Sequence, residues 1–156
     1  MALVRILIDG YSLLHAWPQL AAGKPRHSEA ARDELVSRLT QYRDAVGTPI
    51  SVIFDGAGPR TGPKAKPSNP DMEILYSTGG KSADELIERV AHRLTAYGEV
   101  LVVTDDTAER ETVLGFGGMA SSCDAFISTV ESTLAELASD LKRHNRREQS
   151  RFKGGR

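Results

Sequence analysis

Aspartate closes three apolar runs of this chain. Leu3–Ile8 runs into Asp9-Gly10, Ile50–Phe54 into Asp55-Gly56, and Val100–Thr104 into Asp105-Asp106. A further carboxylate, Asp84, opens a helical pattern just after Gly79-Gly80-Lys81-Ser82-Ala83. Acids gathered in a small space cannot all stay ionised without a cation. Mg²⁺ and Mn²⁺ are the hard ions that suit carboxylate and water ligands. A carboxylate-held pair of such ions can cleave a phosphodiester: one lowers the pKa of the attacking water and the other stabilises the leaving oxygen. Such chemistry needs no covalent nucleophile from the protein.

Each acid also has a plainer reading. Asp9-Gly10 and Asp55-Gly56 fit simple turns. Ser82-x-x-Glu85 fits a capping box, with Asp84 complementing the helix dipole. Asp106 fits an N-cap with Glu109 at N3. The case for chemistry rests on convergence rather than on any one residue.

Convergence depends on the elements that carry the acids. Val4, Ile6, Leu7 and Ile8 are nearly continuous, which predicts a strand buried on both faces, as in a parallel sheet. Ile50–Asp55, Met72–Tyr76 and Val100–Thr104 read as further strands, and Met119–Ser122 as a brief fifth. Residues 28–46 read as a helix capped by Ser28 and stopped by Gly47, with Ala31, Leu35, Leu39, Tyr42 and Val46 at helical spacing. A second helix opens at Ser82 and presents Ala83, Leu86, Ile87, Val90, Ala91 and Leu94 on one face. Residues 107–114 form a third, and Asp124–His144 a fourth. Tyr11–Leu20 reads as a loop or short helix. The order β-α-β-β-α-β-α-β-α predicts a parallel-rich sheet with helices on both faces. Right-handed crossovers would then deliver the strands' carboxyl ends, and the aspartates, to one edge.

The chain has 156 residues, 40% hydrophobic and 26% charged, which fits one globular domain with a full core. No apolar run approaches a membrane span. The first apolar run is broken by Arg5 and stopped by Asp9, so no secretory signal is expected. One cysteine, Cys123, allows neither an internal disulfide nor a cysteine-based zinc site, and a reducing cytoplasm is the expected compartment. Gly56, Gly58 and Gly62 do not form a phosphate-binding P-loop. Gly10 stands alone where a dinucleotide fold needs three glycines, so no nucleotide cofactor is expected. A haloacid-dehalogenase-type phosphatase needs aspartate at position 11, where Tyr11 stands. A response-regulator receiver needs its acidic pair after the first strand, and here the pair follows a later one.

The segments ILIDGY, GGKSADELIER, and VVTDDTAER followed by GFGGMASS resemble the YacP-like branch of the NYN domains, part of the PIN-like nuclease superfamily. The resemblance runs from Leu3 to about Leu141. It implies a three-layer αβα, Rossmann-like fold with a central, mainly parallel sheet. It also implies a metal-dependent endoribonuclease whose acids hold Mg²⁺ or Mn²⁺ and activate water. By motif position, Asp9, Asp84 and Asp106 carry over as catalytic metal ligands. Asp105 occupies a usually small polar position and is read as an added or supporting ligand. Asp55 matches a frequent acid after the second strand. Ser82 and Thr104 belong to the matched motifs and are read as supporting. Ser12 departs from the family's usual asparagine, yet it can still hydrogen-bond a carboxylate.

The net charge of −1 conceals an acidic body and a basic end. Residues 142–156 carry a net +6 and residues 1–141 a net −7. The chain therefore reads as a single domain, 1–141, and a basic tail, 142–156. In the tail, Lys142, Arg143, Arg146 and Arg147 could track a phosphate backbone, or the tail could be a solvated terminus. Lys81 and Arg110 flank the expected site, and Arg60, Lys64 and Lys66 lie in a Gly/Pro-rich connection beside Asp55. Tyr11 and Trp17 could stack on bases, although Trp17 fits a packing role better. RNA is the expected partner, with the ribosome as a candidate presenter of substrate. The competing reading is a module that binds RNA or the ribosome without cleaving.

Overall fold

The computed structural model describes residues 3–25, 28–56, 71–78 and 80–154. Strand β1 (Leu3–Asp9) lies at the centre of a five-stranded sheet among the described residues. β2 (Ile50–Asp55) and β3 (Met72–Ser77) extend it on one side, and β4 (Glu99–Val103) and β5 (Met119–Ser121) on the other. Every pairing is parallel. The order β3-β2-β1-β4-β5 reverses direction at β1, where a crevice opens beyond the strands' carboxyl ends.

The sheet is buried on both sides, as the unbroken apolar strands require. Ile6, Leu7 and Ile8 are each at most 1% exposed. Alternation sends Ile6, Ile8, Val52 and Phe54 into one core, and Leu7, Ile53, Val100 and Val102 into the other. The first core is covered by α1 (Gly10–Ala16), α2 (Glu29–Val46) and α5 (Cys123–Gly154). The second is covered by α3 (Ala83–Leu94) and α4 (Thr107–Gly115). The result is the three-layer αβα arrangement that the sequence predicts.

Helix ends follow local chemistry. Ser28 Oγ accepts from the Ala31 N–H, and Gly47 closes α2 at φ 78°. α1 ends at Ala16, just before Trp17-Pro18. Trp17 is buried, and its Nε1–H donates to Glu131 Oε1 at 3.1 Å, so it packs α1 against α5. α5 continues ten residues beyond the His144 at which its apolar periodicity fades. Nothing in 145–153 breaks a helix, and Arg143–Asp140 and Arg151–Glu148 pair at i,i+3 spacing. The basic segment is thus the outer part of a long helix. No helix among the described residues is long and apolar enough to cross a membrane.

Gly10 is required by a close approach. A Cβ built on it would lie 2.3 Å from the ring of Phe54. That ring is fully buried and held between Tyr11 and Tyr76, at centroid distances of 5.1 and 5.8 Å. It cannot swing away cheaply. Gly10→Ala should therefore destabilise the fold by about 1–3 kcal/mol. Urea unfolding checks this, and an unchanged midpoint would show that the ring yields.

Candidate metal centre

Three carboxylates from three segments meet at the carboxyl edge of the sheet. Oxygens of Asp9, Asp84 and Glu109 all lie within 4.8 Å of one another. Asp9 ends β1 and caps α1. Its Oδ1 accepts from the Ser12 N–H at 3.3 Å and its Oδ2 from the Ser12 hydroxyl at 3.1 Å. Ser12 thus fixes both oxygens of the central acid. Asp84 is the second residue of α3, whose start is set by Ser82 Oγ accepting from the Glu85 N–H at 3.2 Å. Glu109 lies in the first turn of α4. There Asp106 Oδ1 accepts from the Ala108 and Glu109 N–H groups at 3.0 and 3.3 Å. Thr104 Oγ1 in turn accepts from the Asp106 N–H at 3.2 Å.

The charges are poorly solvated. Burial raises the pKa of Asp9, the Ser12 hydrogen bonds work against that rise, and the nearby Asp84 adds to it. Glu109 is 2% exposed. Burial, followed by the adjacent Asp84 carboxyl and by Asp9, raises its pKa to about 9. Neither of its oxygens has a hydrogen bond of good geometry, although Asp84 is near enough to share a proton with it. A buried carboxylate left in this state is costly. It must keep a proton or meet a cation. Three oxygen donors with no sulfur or imidazole suit a hard divalent ion, so the residues fit Mg²⁺ or Mn²⁺.

The YacP-like NYN domain model matches residues 6–154 of the chain. The chain belongs to this family. It is 32% identical to the protein YacP of Bacillus subtilis (strain 168) over 128 residues, covering 81% of this chain and 75% of that one. The crystal structure of Rae1 (YacP) from Bacillus subtilis superposes with a TM-score of 0.76 at 27% identity, covering 96% of this chain and 85% of that one. Its W164L mutant gives 0.74 at 27% identity, covering 90% and 82%. The fold is that of the YacP structures. Membership of the NYN family, which is related to the PIN nucleases, implies a nuclease role, with RNA as the implied substrate.

Within this NYN domain the expected site residues separate into groups. Asp9 and Asp84 come together. Asp9, Asp84, Ser12, Ser82 and Asp55 line one open pocket of about 660 Å³. Asp55 stands on its exposed rim, with Oδ1 accepting from the Ser77 hydroxyl at 2.8 Å. Asp105 and Asp106 lie outside both the three-acid group and that pocket's lining. Asp106 caps α4, while Asp105 Oδ1 accepts from the Cys123 N–H at 2.8 Å and pins the start of α5. Thr104 is buried beneath them. Arg110 donates to the Thr104 carbonyl at 2.8 Å and to Thr107 Oγ1 at 3.4 Å. Lys81 is exposed beside Ser82. Arg60, Lys64 and Lys66 lie outside the described residues. Lys142, Arg143, Arg146 and Arg147 are exposed on α5. Lys142 is nineteen residues beyond Cys123, about 28 Å along the helix from this edge.

Glu109 is the acid that sequence reasoning does not single out. A glutamate at N3 ordinarily turns its side chain back toward the helix start, but this one is buried. The available signal is its spacing: Glu109 lies four residues before Val113, and both are buried on one face of α4.

The pKa of Glu109 sets a pH dependence in metal-free protein. Its folded value, about 9, exceeds its ordinary value of 4.5. The folded state then holds the extra proton between those values, so stability is full below pH 4.5 and falls as pH rises toward 9. In EDTA, the Tm of the wild type should drop between about pH 5 and pH 8, and Glu109→Gln should shrink that drop. Mn²⁺ should restore the wild type at the higher pH but not the variant. Equal protection of both by Mn²⁺ would remove Glu109 from the metal centre.

Proposed function

We propose that this NYN domain is a metal-dependent endoribonuclease, with Asp9, Asp84 and Glu109 holding Mg²⁺ or Mn²⁺. The observation that carries this reading is the convergence of three carboxylates, one of them a buried glutamate whose oxygens find no hydrogen bond of good geometry. When bound, the ion would supply a water of lowered pKa and would neutralise charge developing on the phosphate. The protein's task is to hold the acids still. Ser12 clamps both oxygens of Asp9 and thereby substitutes for the family's usual asparagine. Asp106 and Thr104 fix the first turn of α4 and so aim Glu109. Asp105 anchors α5 against the same edge. Asp55, on the rim, is placed to orient water or substrate.

A nucleophilic side chain has no place in this scheme. Cys123 is buried, and burial together with Asp105 pushes its thiol pKa upward. The pocket is open, which suits internal cleavage of a strand passing across the edge. So open a site holds little of its substrate, and the choice of RNA falls to surfaces outside it. The exposed basic half of α5 is one such surface, and RNA presented by the ribosome in the cytoplasm is a substrate consistent with it.

The test is cleavage of a pool of single-stranded and structured RNAs with Mn²⁺, Mg²⁺ or EDTA. Wild type should cut only with metal, and Asp9→Asn, Asp84→Asn and Glu109→Gln should each abolish cutting while staying folded. Ser12→Ala should lose about 10- to 100-fold, the usual cost of removing a group that orients a metal ligand. Folded wild type that binds the pool but never cuts it, naked or on ribosomes, would leave only the binding-module reading.

A further inference from the structure

We infer that Arg110 binds a phosphate of the RNA backbone, at the sheet edge on the far side of the three acids from Asp55. The strand order sets this line. β2, β1 and β4 lie side by side and parallel, so their carboxyl ends bring Asp55, Asp9 and the Thr104–Thr107 connection into one row. Arg110 follows Glu109 on α4, and its side chain folds back over that connection. Nη1 donates to the Thr104 carbonyl at 2.8 Å and Nη2 to Thr107 Oγ1 at 3.4 Å. The open pocket with Asp55 on its rim lies toward the other end of the row. A strand that crosses the edge from that pocket passes Asp9 and then meets Arg110.

The guanidinium is held in place while its charge is left unmatched. Both of its partners are neutral oxygens, and among the described residues no carboxylate forms an ion pair with it. The two bonds engage only part of the donor fork. A neutral glutamine could donate to the same oxygens, so stapling the connection gives no reason for a full positive charge here. The dipole of α4 also disfavours a cation near its start, so helix stability does not explain the residue. A half-buried arginine whose direction is already fixed offers a planar fork that matches phosphate better than a lysine does. Its role as a neighbour of the scissile phosphate rests on the nuclease reading, whereas its binding of RNA does not.

The experiment uses a fluorescent single-stranded RNA of about 12 nucleotides. Binding is measured in EDTA across a salt series and cleavage in Mn²⁺, for wild type, Arg110→Ala, Arg110→Gln and Arg110→Lys, with Tm as the folding control. Arg110→Gln keeps a donor for the Thr104 carbonyl and removes the charge. Arg110→Ala and Arg110→Gln should each weaken binding and raise KM about tenfold, the loss of one charge-assisted contact, with a much smaller fall in kcat. In both, the slope of log affinity against log salt should shallow by about 0.7. Arg110→Lys should keep the wild-type slope and recover part of the affinity. An arginine that only staples the connection and so aims Glu109 would act on kcat instead. Binding, KM and salt slope all unchanged in Arg110→Gln, whether or not kcat falls, would overturn the phosphate contact and leave the nuclease standing. Charge-dependent binding at Arg110 without cleavage would uphold the contact and remove the nuclease. No measurable binding by wild type would overturn the contact.

Discussion

Repulsion among like charges in a poorly hydrated place is the constraint to which the rest of this structure answers. Asp9, Asp84 and Glu109 come from a strand and two helices far apart in sequence, and their oxygens meet within 4.8 Å. Left to themselves, these groups would separate or take up protons. They are held by β1, the central strand, and by α3 and α4, which pack one sheet face through Ile87, Ala91 and Val113. Burying side chains such as Ile87 and Val113 contributes about 1.5–3 kcal/mol each, which opposes the repulsion. The arrangement leaves an unmet demand for positive charge, and burial first, then the neighbouring carboxyls, raise the pKa values of Asp9 and Glu109.

The edge is also built from helix beginnings. α1, α3, α4 and α5 all start there, capped by Asp9, Ser82, Asp106 and Ser122. Their N–H groups and dipoles place partial positive charge around the acids, which makes a dense carboxylate cluster tolerable. Capping and chemistry are therefore not alternative explanations of an aspartate here. Asp9 caps α1 and belongs to the three-acid group at once. Asp106 caps α4 and, by setting that helix's first turn, decides where Glu109 lands.

The sheet was legible because its signals are local. Near-continuous apolar strands announce two buried faces, and an aspartate after each marks the edge where they emerge. Ser28 and Gly47 gave both ends of α2, and Ser82 the start of α3, to within a residue, whereas α3 stops at Leu94, four residues short of Gly98, where the sequence places its end. Glu109 was not legible, because an N3 glutamate after an N-cap aspartate satisfies a local rule that masks its inward direction. Only the position of Val113, one turn on, hints at burial. Asp105 is similar: its partner is an N–H eighteen residues away, and no local pattern encodes that distance. The extent of α5 was hidden for another reason. Its outer half is exposed, so apolar periodicity no longer marks it, although nothing before Gly154 stops the helix.

An acidic body that acts on a polyanion must resolve attraction and repulsion in different places. The basic residues of α5 begin about 28 Å from the edge. At that separation, more than three screening lengths at physiological salt, they do nothing for the field at the acids. Any contact they make with a polyanion lies at a distance from the acids. At the edge itself, only a group in direct contact with the three acids, such as a cation, could balance their charge. The basic end and the acids are therefore separate parts of the molecule, joined by one helix whose start is pinned to Asp105. Because that helix is anchored at the acid edge, its basic end stands at a set span and direction from the three acids.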